Sequence, residues 1–172
     1  DTINGWINNP NKVRAIVNKL WTNSLDNGDK RKKYYLGIDL AMSGDGFGVC
    51  IAHKEPKRPI GEYEEEEYAN ILHYGETYII DYMEVHTPAE GEVLDHEFII
   101  ETIKKLYGKY NIVKGIYDQW AGQVFTQLFK KARIPRLEMK SSTQSVNSET
   151  AKQFRQLLME GKIMAPDYEP LI

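Results

Sequence analysis

The order of elements legible in these 172 residues predicts an α/β domain built on a mixed sheet of five strands or slightly more, with helices on both faces. Three observations predict it. Three strand-like apolar runs follow one another before any clear helix of the domain, so they can pair antiparallel. After about residue 90, helical and strand-like runs alternate, the pattern of parallel strands joined by right-handed crossovers. Each later helix keeps a 3.6-residue apolar period that gives it one face to bury.

Taken in order, residues 34–40 (YYLGIDL) are the first strand, with a small-residue turn (AMSGDG) leading to a second strand at 46–53. A Pro-, Gly- and Glu-rich stretch, KEPKRPIGEYEEEEYAN, reads as an exposed loop. A third strand is expected over 71–85, interrupted near Gly75. Leu94, Phe98, Ile99, Ile103, Leu106 and Tyr110 mark a helix over 90–110. The run NIVKGIYD, ending at Asp118, is a fourth strand. A helix over 121–132 follows, with Val124, Phe125, Leu128, Phe129 and Ala132 as its buried stripe. IPRLEM is a fifth strand. The last helix lies within 145–162: Asn147 or Ser148 caps it, Ala151, Phe154, Leu157 and Leu158 pack, and Gly161 stops it. This is the ribonuclease H-like layout. Residues 1–33, with Val13, Ile16, Val17, Leu20 and Trp21 at helical spacing before DNGDKRKK, read as a linker or the trailing helix of a preceding domain, and 34–172 as one domain.

Composition bounds the partners. An apolar fraction of 41% and eleven tyrosines fit a packed core. Cys50 is the single cysteine, which excludes an internal disulfide and a cysteine-built zinc cluster and suits a reducing cytoplasm. No apolar run approaches the ~20 residues a membrane helix needs. The net charge of −3 conceals segregation, because residues 61–100 hold twelve Asp/Glu and no Lys/Arg. The rest of the chain therefore carries a positive excess that a polyanion can meet, although an acidic excursion on an ordinary surface explains the counts equally well.

The chemistry-bearing feature is a pair of strand-borne acids. Asp39 sits among Leu36, Ile38 and Leu40 in a strand that reads as buried, where an ionised carboxylate needs compensation. Asp118 ends the fourth strand after another apolar run. In this layout the first and fourth strands are neighbours, so the two carboxylates meet at one end of the sheet. Like charges at close range repel unless a cation intervenes, and hard oxygen donors on a rigid scaffold suit Mg²⁺ or Mn²⁺. A pair of such ions hydrolyses phosphodiesters. The plainer reading of each acid alone is a hydrogen bond at a strand end. KSSTQS, after the fifth strand, falls at the same end as the acids; Lys140, Ser141 and Ser142 are candidate DNA-phosphate contacts, or an ordinary polar loop. The four histidines show no spacing that suggests a shared metal.

The ordered runs GIDLAMSGDGFGV, GIYDQWAGQVFTQLFKKARIP and SETAKQFRQLLMEGKIMAPDYEPLI resemble the nuclease domain of phage terminase large subunits, over about residues 34–172. The resemblance implies a metal-dependent endonuclease that cuts concatemeric double-stranded viral DNA during packaging. It implies Asp39 and Asp118 as catalytic metal ligands, the viral portal and terminase small subunit as partners, and the cytoplasm of an infected bacterium as the location. The ATPase half of that family is not represented, since no G-x-x-x-x-G-K-[ST] loop occurs. The family's third acid normally lies downstream of the segment matching APDYEPLI, so the nuclease domain is expected to be truncated here. Asp167 and, through water, Asp45 are further candidate ligands; a surface turn acid and a turn former beside glycines are their plainer readings. Three other readings stand beside the nuclease: an actin-like nucleotide binder, a junction resolvase of the same superfold, and a non-catalytic module of the packaging motor.

Overall fold

The computed structural model describes residues 28–40, 46–55, 76–88, 95–119, 122–141, 143–160 and 162–165. Six strands form one sheet in the order β5-β4-β1-β2-β3-β6. They are β1 (Tyr34–Leu40), β2 (Phe47–Glu55), β3 (Thr77–His86), β4 (Ile112–Asp118), β5 (Leu137–Lys140) and β6 (Ile163–Met164). β1, β2 and β3 pair antiparallel, while β4 joins β1, β5 joins β4 and β6 joins β3 in parallel. Three helices connect the later strands: α1 (His96–Lys109), α2 (Gly122–Lys131) and α3 (Gln144–Met159). The predicted ribonuclease H-like order is therefore the observed one, enlarged by the two-residue β6.

Strand alternation divides the sheet into two faces. Leu36, Ile38, Val49 and Ile51 look to one side and pack with Ile99, Ile103 and Leu106 of α1 and with Phe125 and Phe129 of α2. Cys50 and Ala52, which alternate with Val49 and Ile51, look to the other side, where Ile80, Ile163 and Ala165 pack with Leu157 and Leu158 of α3. The principal core thus lies under α1 and α2, and α3 covers only part of the opposite face.

Local chemistry sets the helix ends. The Asp95 side chain accepts from the Glu97 amide at 2.9 Å, satisfying one of the free N–H groups at the start of α1. Thr143 caps α3 by accepting from the Val146 amide at 3.3 Å. That corrects the expected Asn147 or Ser148 cap, because the helix begins earlier, at Gln144. Three stripe residues expected to pack are instead substantially exposed: Phe98 at 39%, Val124 at 49% and Phe154 at 44%. The fifth strand also starts later than expected, since Arg136 has φ 57°, a left-handed conformation no strand residue adopts.

The segment before β1 is tied to the domain. The Asp29 amide donates to the Tyr34 hydroxyl at 2.9 Å. Lys32 Nζ reaches His53 Nε2 at 2.9 Å and also bonds the Glu55 carboxylate. His53 in turn places Nδ1 2.6 Å from Asp81 Oδ2 and Nε2 3.0 Å from Glu55 Oε1. Asp81 reaches this side through a bulge: Ile51 pairs with Tyr82 and Ala52 with Ile80, leaving Asp81 as the extra residue.

Candidate active site

The parallel pairing of β1 with β4 builds the site. Ile38 and Tyr117 are register partners, and Asp39 and Asp118 are the next residues on their strands. Both acids therefore stand side by side at the C-terminal ends of adjacent parallel strands, where open α/β sheets bind ligands. They line a common cleft of about 500 Å³. Asp39 is exposed and Asp118 half-buried. The expectation of a carboxylate inside the core is corrected here: β1 alternates strictly, its even-numbered residues are buried, and Asp39 falls on the open face with Tyr35 and Gly37. Hydration of the Asp39 carboxylate is kept, so the strand tolerates it without a counter-ion.

Lys140 completes the row. It pairs in register with Asp118 on the other side of β4, lines the same cleft, and is exposed, with no ion pair among the described residues. Ser141 follows it, exposed; Ser142, Asp45 and Asp167 lie outside the described residues. From the other wall comes Asn147, in the first turns of α3. Asn147 lies inside α3 rather than capping it, and it lines the acid cleft.

Two other cleft residues do not join the chemistry. Glu84 lies directly opposite Val49 and so belongs to the α1 face; its carboxylate accepts from the Tyr82 hydroxyl, and His86 Nε2 lies 2.6 Å from it. Burial pushes the Cys50 thiol up to about 11, helped by the negative charge of Asp81, so it is not a thiolate nucleophile at neutral pH. Among the described residues no group of three or more His, Cys, Asp or Glu is arranged to hold a metal ion. The pair Asp39 and Asp118 nonetheless fits a hard divalent cation in donor type: two carboxylates on rigid neighbouring strands, one exposed and one half-buried, with Lys140 and Asn147 lining the same cleft.

Fold and site together define an α/β domain of the ribonuclease H-like class. By sequence, no protein-family model and no curated protein matches the chain. Its fold is that of terminase nuclease domains. The large terminase nuclease of thermophilic phage G20c, solved with bound magnesium, superimposes with a TM-score of 0.63 at 12% identity, covering 92% of this chain and 74% of that one. The HK97 bacteriophage large terminase gives 0.63 at 14% identity, covering 93% of this chain and 34% of that longer protein. The human cytomegalovirus terminase nuclease domain, soaked with manganese and bound to an inhibitor, gives 0.51 at 11% identity, covering 91% and 75%. At such identities the likeness is one of fold; function has to be argued from the site.

Proposed function

We propose that this chain is the metal-dependent endonuclease domain of a phage DNA-packaging terminase, cutting concatemeric double-stranded DNA in the host cytoplasm. In this reading residues 1–33 link it to an ATPase domain, and the portal and small subunit are its partners in the motor. The observation that carries the proposal is the adjacency of Asp39 and Asp118 at the ends of β1 and β4, in one cleft.

Asp39 and Asp118 would hold Mg²⁺ or Mn²⁺, with a third ligand supplied by Asp167, Asp45 or sequence beyond Ile172. When bound, a pair of such ions supplies Lewis-acid stabilisation of the phosphodiester and a nucleophile at neutral pH. The chain's own side chains do the positioning. The Lys140 ammonium, on the register partner of Asp118, attracts the scissile strand's phosphate. The Asn147 amide offers a neutral donor from the opposite wall, and Ser141 and Ser142 extend the polar rim beyond Lys140. The solved relatives with bound magnesium and manganese support the choice of metal.

Calorimetric titration of the chain with Mn²⁺, alongside nicking of supercoiled plasmid, tests this. Asp39→Asn and Asp118→Asn are each expected to weaken Mn²⁺ binding on the order of tenfold or more and to abolish nicking. Unchanged Mn²⁺ affinity in both variants would overturn the assignment. Metal binding without nicking, even when downstream sequence is restored, would leave a non-catalytic motor module as the better reading.

A further inference from the structure

Among the described residues, Gly37 and Gly48 leave two gaps in the cleft floor beside Asp39, between the side chains of Cys50 and Ile116, the register partners of Gly37. Gly37 shares the open face of β1 with Asp39, and a Cβ built on it would meet nothing among the described residues within 4 Å. Gly48 lies directly opposite Asp39 on β2, and a Cβ there would make only ordinary contact, 3.8 Å from Asp39 Cβ and 4.0 Å from Val85 Cγ2. Both glycines line the acid cleft.

Gly46 and Gly115 are held by packing, whereas Gly108, on α1, leaves room for a Cβ as Gly37 does but lies away from the acids. A Cβ on Gly46 would stand 2.4 Å from the His86 carbonyl oxygen, and one on Gly115 2.7 Å from Leu137 Cδ1. Gly37 differs from Gly46 and Gly115 in that no neighbour among the described residues excludes a side chain, and its φ lies outside the left-handed region. A glycine inside a strand weakens it, through backbone entropy and lost packing, and a β-branched residue is favoured there. The fold alone would therefore be better served by a valine at this position. A gap in the strand surface next to an acid pair is what close approach by another molecule's backbone requires.

We infer that Gly37, with Gly48 beside it, is the seat on which the phosphodiester backbone of the DNA lies as it reaches Asp39 and Asp118. The inference rests on the nuclease reading and adds to it the surface that admits the substrate. A side chain at 37 would hold the DNA off the acid pair without touching the acids or the core.

The test uses Gly37→Ala and Gly37→Val in the 172-residue chain, with three readouts: melting temperature, Mn²⁺ affinity by calorimetry, and binding of a short fluorescent duplex by anisotropy. The expected result is a melting temperature equal to or above the parent's and unchanged Mn²⁺ affinity. Duplex affinity should fall modestly for alanine and on the order of tenfold or more for valine. Parent-like duplex binding by Gly37→Val overturns the seat, as does absence of duplex binding by the parent chain. A valine variant that loses melting temperature and metal together also overturns it, since Gly37 would then be structural. If Asp39→Asn and Asp118→Asn both keep full Mn²⁺ affinity, the nuclease reading itself falls. If Asp39→Asn loses the metal while Gly37→Val binds duplex normally, only the seat falls.

Discussion

His53 meets Lys32, Glu55 and Asp81 at the end of the sheet away from the acids. It is 4% exposed, and burial alone would lower its pKa. The hydrogen bonds to Asp81 and Glu55 outweigh that and hold it above the usual 6.5, because a protonated ring donates from both nitrogens to carboxylates. A group whose pKa is raised on folding stabilises the fold fully below its unfolded value, and that contribution is lost as pH rises through the folded value. Urea melts are therefore expected to show stability falling as pH climbs from 6.5 through the folded pKa of His53. His53→Gln should remove that slope; an unchanged slope would place its origin in another group. The lesson for sequence reading is specific. His53 and Asp81 are 28 positions apart with no spacing signal, and only the bulge at Ile51/Ala52 turns Asp81 toward the ring.

Among the described helices, α1 contributes the most buried residues to the principal core. Ile99, Ile103 and Leu106 repeat at helical spacing, and Ile103 is fully buried against the sheet. Ile103→Ala is expected to destabilise the domain by about 2–5 kcal/mol, the range for emptying a packed aliphatic site, measured by chemical denaturation. A loss below about 1 kcal/mol would mean that α1 packs more loosely than described. This helix was legible because its apolar period is long and regular. The helix starts were less so. Sequence favoured Asn147 or Ser148 as the α3 cap, whereas Thr143 caps it, since several Ser, Thr and Asn residues in a row are chemically equivalent caps and tertiary contacts choose among them. The fifth strand was placed too early for a similar reason: IPRLEM has strand-like composition, but Arg136 adopts a left-handed turn in front of Leu137.

At the scale of the whole molecule, the proposed function needs a chain of net charge −3 to meet a polyanion. Lys140, at the acid end of the sheet, offers a cation without a carboxylate partner among the described residues. Lys140→Ala is expected to leave the melting temperature unchanged and weaken duplex binding regardless of sequence. It should also reduce the slope of log affinity against log salt by about 0.9, the loss of one phosphate contact. An unaltered slope would remove Lys140 from the DNA path. Among the described residues no helix is long and apolar enough to cross a membrane.

By itself the amino-acid sequence determined the strand and helix order and the identity of the two acids. Alternation, helical period and chain order are local properties that survive without knowing what packs on what. Tertiary structure decided which way those acids face and who stands beside them. Pairing of β1 with β4 set Asp39 next to Asp118 on the open side of the sheet, and pairing of β4 with β5 set Lys140 in line with Asp118. The start of α3 brought Asn147 across from them. Those neighbours come from strand register between segments tens of residues apart, and register depends on the packing of the assembled sheet rather than on any one segment.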